Sequence, residues 1–277
     1  MDMLNIFKEI EKIDPEVYDK LDTRRNAMKQ FTNISGKIAL AAIPFALGSM
    51  FNKAYARQAS STDVKGVLAL ALTLEYLEAA YYAKGLATPN LIPAEGMGAI
   101  TTISKHETAH VKFLQGALSG MGGYDPSPTF DFTAGGTFPT VFSNYDYFLA
   151  VSQAFEDTGV RAYKGQAPKL AGQGAVLTAA LSIHSVEARH AAHIRAMRRT
   201  RKALGADDNL KPWITLKQSG IATSAVDPVY AGEELTVQAG VNISAINNMG
   251  DASASESFDE PLTGEQAVAI ASLFIKP

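Results

Sequence analysis

From Thr62 to Leu86 the apolar residues Val64, Val67, Leu68, Leu72, Leu74, Tyr81 and Tyr82 recur at near-helical spacing, and no proline intervenes before Pro89. That pattern predicts a helix. A second helix is predicted from Ala94 to Leu118, closed by the cluster Gly120, Gly122 and Gly123. The stretch from Ser119 to Thr140 is rich in Gly, Pro, Thr and Phe and carries no helical period, so it reads as a long connection. A third helix follows from Asn144 to Gln166, stopped by Pro168, and a fourth from Gln173 to Leu204, stopped by Gly205. Two short loops flanking one long connection predict an all-α fold: a four-helix bundle with a long crossover between helices 2 and 3.

The flanks have a different texture. Before the first helix, the longest uncharged run is Ile38 to Asn52, only 15 residues and interrupted by Pro44 and Gly48, too short to span a bilayer comfortably. Arg24 and Arg25 precede it and Ala54-Tyr55-Ala56 follows it. Basic, apolar and small residues in that order read as an export signal cleaved near Ala56, with the mature chain delivered to the periplasm. The paired arginines resemble a twin-arginine signal, which implies export of a chain already folded and often loaded with its cofactor. The competing reading, two helices belonging to the folded protein, is opposed by Pro44 in the interior of the second. After the bundle, residues 205–262 hold Ser, Asp, Gly, Asn and short β-branched runs such as Thr236-Val237-Gln238, the mark of an irregular or weakly β segment. Thr263 is placed to cap a last short helix, with Glu265 in its first turn and Ala267 to Ile275 as its body, docked on the bundle. The expected organisation is therefore a signal over 1–56, a bundle over 57–204 and a C-terminal extension over 205–277.

Charge and composition narrow the chemistry. With 25 basic and 28 acidic residues the formal net charge is −3, which offers nucleic acid no attraction. The basic run Arg195, Arg198, Arg199, Arg201 and Lys202 complements the C-terminal end of the fourth helix dipole. Cysteine is absent from the sequence, which removes thiolate nucleophiles, Cys-ligated zinc and cysteinyl iron–sulfur clusters together. Any metal must be held by Glu, Asp and His.

Those residue types occur in a pattern that appears twice. Glu75 is followed by Tyr82 after 7 residues, Glu107 after 32 and His110 after 35; Glu156 is followed by Tyr163 after 7, Glu187 after 31 and His190 after 34. Residues three apart share a helix face, so Glu107 with His110 and Glu187 with His190 each present a carboxylate and an imidazole in one direction. Two further helices contribute Glu75 and Glu156. Four carboxylates in a bundle core are costly unless compensated, and two divalent cations cancel their charge. Ordinary alternatives are ion pairs of a buried Glu with Arg161 or Arg189, and plain core packing for the tyrosines.

This constellation resembles the ferritin-like di-metal carboxylate superfamily over residues 62–204. Leu74-Glu75-Tyr76-Leu77-Glu78-Ala79, the Phe258-Asp259-Glu260-Pro261-Leu262 run and the terminal helix look closer still to the ferritin-like domain proteins that include the desiccation-related family. The resemblance implies that Glu107 and Glu187 bridge two metals, that Glu75 and Glu156 are terminal carboxylates, and that His110 and His190 supply one nitrogen to each ion. Tyr82 and Tyr163 look like donors that orient the carboxylates. Glu78 replaces or joins Glu75, although its residue at +7 is Gly85 rather than Tyr, and symmetry with Glu156 favours Glu75. His184, three before Glu187, is expected near the ligands; His106 and His193 have no counterpart and read as solvated or structural.

The implied cofactors are two iron ions or two manganese ions, and the implied reactants dioxygen or hydrogen peroxide, in a ferroxidase-like or peroxide-detoxifying role. Without a Cys-x-x-Cys module the full rubrerythrin arrangement is excluded. A manganese catalase and a stress-associated metal-binding or structural protein without turnover are the alternatives. A storage cage is disfavoured by the long crossover and the C-terminal extension, and a homo-oligomer stays open.

Overall fold

The computed structural model describes residues 64–124 and 128–276; the expected export signal and its cleavage point lie outside the described residues. Four long helices carry the fold: α1 (Val64–Ala87), α2 (Ala94–Ser119), α3 (Tyr145–Gln166) and α4 (Gly174–Arg201). α1 packs along α2 and α3 along α4, and the two hairpins meet with α1 facing α3 and α2 facing α4. The all-α architecture expected from periodicity is the one observed.

Local chemistry explains most boundaries. The Asn144 side chain accepts from the backbone amides of Asp146 and Tyr147 and so caps α3. Pro168 closes α3 into a 3₁₀ turn, Ala167–Leu170, before α4 begins. The end of α4 departs from expectation, since the helix stops at Arg201 rather than Leu204. Lys202 and Leu204 both adopt φ of 53° and Gly205 reaches 90°. The left-handed turn is held from outside the helix: Arg198 Nη2 donates to the Leu204 carbonyl at 3.3 Å and the Gly220 carbonyl at 2.7 Å, and the Ala222 amide donates to Leu204 O at 3.0 Å.

The extension after α4 contains a 3₁₀ turn (Ser224–Val226), α5 (Asp227–Tyr230), a hairpin of β1 (Val237–Gln238) and β2 (Val241–Asn242), a second 3₁₀ segment (Ile243–Asn248), α6 (Gly250–Ser255) and α7 (Gly264–Ser272). The two strands are antiparallel with Val237 opposite Asn242. Thr263 and Gln266 form a complete capping box on α7. The extension covers α3, whose residues from Phe148 through Tyr163 are buried without a break. Buried polar groups of α3 are met there by the extension and by α4. Arg161 donates to the carbonyls of Val229, Ala231 and Glu260 and pairs with Glu233 at 2.6 Å. Asp157 pairs with Arg195 at 2.6 Å and accepts from the Tyr230 hydroxyl at 2.8 Å.

The run 258–262 sits against α3. Lys164 donates to the Asp259 carbonyl, the Leu262 amide donates to Arg161 O at 3.0 Å, and a Cβ at Gly165 would lie 1.8 Å from the Leu262 carbonyl oxygen, a distance only glycine accommodates. The chain end closes on the crossover, with Asp131 N donating to Phe274 O at 2.8 Å and Lys276 N to Thr129 O at 2.9 Å.

Two apolar clusters fill the interior, one around Tyr81, Phe148, Phe155 and Phe274, the other around Leu68, Leu72, Leu114 and Ile183. Glu75, Glu107, Glu156 and Glu187, all fully buried, lie along their helices between residues of the first cluster and residues of the second. A polar layer therefore divides the core. No helix among the described residues is long and apolar enough to cross a membrane.

Candidate metal centre

Each of the four helices delivers one of these glutamates to the polar layer, and α2 and α4 add His110 and His190, both 4% exposed. Two four-residue groups form, Glu75–Glu107–His110–Glu187 and Glu107–Glu156–Glu187–His190, with the donor atoms of each group within 4.8 Å of one another. Glu107 and Glu187 belong to both. The six residues singled out by spacing thus come together as two overlapping half-sites.

The contacts converge on points rather than forming ordinary pairs. His110 Nδ1 lies 3.1 Å from Glu75 Oε2, from Glu107 Oε2 and from Glu187 Oε1. A ring nitrogen carries at most one proton, so it satisfies at most one of these three oxygens as a donor. His190 Nδ1 lies 2.8 Å from Glu107 Oε1, 3.2 Å from Glu156 Oε2 and 4.0 Å from Glu187 Oε2. Glu107 Oε1 and both carboxylate oxygens of Glu187 are buried without a hydrogen bond. Lone pairs aimed inward and left unsatisfied are what a cation would use. Gly159 on α3 leaves the needed room, because a Cβ there would stand 3.2 Å from Glu187 Oε2 and 3.4 Å from Glu78 Oε1.

Proton affinities follow from this crowding. Burial pushes Glu75 up to about 7, with His110 pulling down and Glu107 pushing up. Burial first, then neighbouring carboxylates, raises Glu187 and Glu78 well above the ordinary range. For Glu107 burial again acts upward, but the charges of His190 and His110 and the contact of His110 Nδ1 with Glu107 Oε2 outweigh it and hold the group below its usual value. Burial lowers both imidazoles, yet Glu75 and Glu107 raise His110, and Glu156 and Glu107 raise His190, well above 6.5. Without cations the cluster keeps its charge in check with protons, and these are the protons that a bound metal would displace.

The tyrosines are exchanged between the halves. The Tyr163 hydroxyl on α3 donates to Glu75 Oε1 on α1 at 2.5 Å, and the Tyr82 hydroxyl on α1 donates to Glu156 Oε1 on α3. Each therefore orients a glutamate of the opposite repeat, a pairing that the spacing within one helix did not reveal.

Other expectations change. Glu78 is buried beside Glu75, Glu107, Glu156 and Glu187, so it joins the acidic layer rather than replacing Glu75. Arg161 is committed to the extension, which leaves it unavailable as the ion-pair partner of a buried ligand glutamate. His184 does not reach the ligands. It lies in a pocket with Lys164, Trp213 and Asp259 and bonds to the Val160 backbone. At about 100° per residue it is turned about 120° from His190, too far for both rings to address one point.

His106, expected to be solvated or structural, touches the site: its Nδ1 lies 2.8 Å from His190 Nε2, with the rings stacked at a centroid distance of 5.1 Å. A signal for it was present, since His106 precedes His110 by four residues and shares its helix face. His193 is exposed, as expected.

A buried layer of four shared or paired glutamates and two histidines at the midplane of a four-helix bundle fits a di-metal carboxylate protein. The family model for the ferritin-like domain matches residues 62–200, and the chain belongs to that family. Comparison with curated proteins and with solved structures returns no match.

Proposed function

We propose that the protein holds two transition-metal ions, iron or manganese, and reacts with dioxygen or hydrogen peroxide in a ferroxidase-like or peroxide-detoxifying role. The observation that carries the reading is the sharing of Glu107 and Glu187 between both donor groups, together with the unbonded buried oxygens of Glu187. Glu75 and His110 would complete one ion's protein ligands, Glu156 and His190 the other's. Oxygen and imidazole donors suit iron and manganese in their two-plus and three-plus states. Bound as a pair, such ions supply two-electron redox capacity to an oxygen reactant.

The chain's own groups supply position and enclosure. Tyr82 and Tyr163 hold the terminal carboxylates, His106 steadies the His190 ring, and burial of the whole layer excludes bulk water. With no cysteine in the sequence, electrons come from an oxidisable metal substrate, from a partner or, in the catalase reaction, from a second hydrogen peroxide. The reading also takes residues 1–56 as an export leader, which N-terminal sequencing of the mature protein tests; a mature chain starting at Met1 or Asp2 would refute it.

Elemental analysis of the purified protein beside the double variant Glu107→Ala, His190→Ala decides the metal question. About two iron or manganese ions per chain, lost in a folded double variant, is the expected result. Failure to contain or take up any transition metal would defeat it. Oxygen release from peroxide without added reductant would select the catalase reaction, and consumption of ferrous iron the ferroxidase-like one. Bound metal with neither activity would leave a structural role.

A further inference from the structure

His106 and Val186 hold the same place in the two repeats, each one residue before the shared glutamate of its helix and four before its histidine. The first is an imidazole and the second a buried apolar side chain, so the repeat breaks at this position. His106, half-buried on α2, crosses to α4, where its Nδ1 lies 2.8 Å from Nε2 of His190 with the ring planes 13° apart. Planes so nearly parallel let the in-plane hydrogen of one ring address the in-plane lone pair of the other.

His190 is thus engaged at both edges. Its Nδ1 faces Glu107 Oε1 at 2.8 Å and Glu156 Oε2 at 3.2 Å, while its Nε2 faces His106. An ion held by the group Glu107–Glu156–Glu187–His190 would take the Nδ1 lone pair, because Nδ1 is the nitrogen turned toward the carboxylate oxygens. A neutral imidazole has one proton, which must then sit on Nε2, and His106 Nδ1 is its acceptor. A partner that accepts the outer N–H of a ligating histidine fixes its tautomer and ring rotation and makes the inner nitrogen a better donor.

His110 has no equivalent support. Its polar contacts among the described residues, with Glu75, Glu107 and Glu187, are all made by Nδ1. Val186, at the position from which His106 reaches across, has no side-chain donor or acceptor. The half-sites otherwise have matching parts: one histidine, one glutamate held by a tyrosine, and the two shared glutamates.

We propose that His106 is a positioning residue that holds the Nδ1 lone pair of His190 toward the metal pair, and so makes the Glu156–His190 half-site the tighter of the two. The proposal rests on the two-ion reading of the proposed function. The test titrates the full nitrogen-15-labelled chain with redox-inert zinc and follows the imidazole resonances by NMR. In wild type, His190 is expected to reach its metal-bound position before His110, with its proton on Nε2 and a coupling across the hydrogen bond to His106 Nδ1. His106→Phe should lower zinc affinity at the His190 half-site about 10–100-fold and abolish that order of filling. His106→Asn places an accepting oxygen near the position of Nδ1 and should restore most of the affinity, which a ring that merely fills space would not require.

Simultaneous filling in wild type, zinc on Nε2 of His190, equal losses at both half-sites in His106→Phe, or an Asn variant no tighter than the Phe variant would each overturn the proposal. The proton position and the order of filling are read in wild type, so the test stands even if His106→Phe does not fold. Wild type that binds two ions yet gives one of these results refutes the role of His106 alone. Wild type that takes up no zinc, iron or manganese refutes the two-ion reading, and the proposal with it.

Discussion

Stripping the metal should reverse the pH dependence expected of an ordinary acidic protein. Glu75 titrates near 7 in the metal-free fold against 4.5 as a free side chain. Between those values the folded chain holds a proton that the unfolded chain has released, so stability is present below about 4.5 and is lost as pH rises through 7. Each tenfold change in proton affinity is worth about 1.4 kcal/mol, so over the full range Glu75 alone contributes a loss on the order of 3 kcal/mol. Glu187 and Glu78 are raised by the same burial and act in the same direction, as do His110 and His190, whose elevated values keep them charged above 6.5. Glu107, held low, opposes this only on the acid side of 4.5. From pH 5.5 to 8 about 2 kcal/mol of this is lost, which for a folded unit of about 200 residues corresponds to roughly 4–8 °C in melting temperature. Calorimetric melts of chelator-treated protein from pH 5.5 to 8 should therefore fall by at least that amount. Protein loaded with metal, whose protons have been displaced, should stay nearly level, and the gap between the two should widen with pH. A metal-free melting temperature that is flat or rising over this window would refute the claim that these carboxylates share one closed, protonated layer.

Two further outcomes follow from single contacts. Tyr163→Phe deletes the hydroxyl that orients Glu75, and should weaken metal binding about 10–100-fold in a competition titration while the helical circular dichroism is unchanged; Tyr82→Phe should act likewise through Glu156. Gly165→Ala forces a methyl group into the Leu262 carbonyl, and should destabilise the protein by about 1–3 kcal/mol, with faster amide exchange concentrated in residues 259–274. Wild-type exchange in that segment would show that the extension is not clamped to α3 at this point.

Periodicity and spacing were sufficient for the four long helices, their pairing into two hairpins, the capped last helix and the six Glu and His positions. The reason is local. Helix formation and the sharing of a face by residues three apart depend on a few neighbouring positions, and a repeated seven-residue offset of Glu and Tyr is visible without knowing how helices meet. The absence of cysteine left only oxygen and imidazole donors to consider.

What tertiary structure alone decided concerns the rotation and axial offset of one helix against another. No period along a single helix says that Tyr82 reaches Glu156 rather than Glu75, that His106 on α2 meets His190 on α4, or that His184 turns away to Asp259 and the Val160 backbone. Arg161 illustrates the same limit: beside Glu156 in sequence it looks like a counter-ion, and in the fold its guanidinium holds the extension through Glu233 and three carbonyls. The early end of α4 belongs here too, because Arg198 gathers the carbonyls of Leu204 and Gly220 from a segment that the helix itself does not contain. Local chemistry set which side chains each helix would present to its core. The packing of non-adjacent segments set which of them touch.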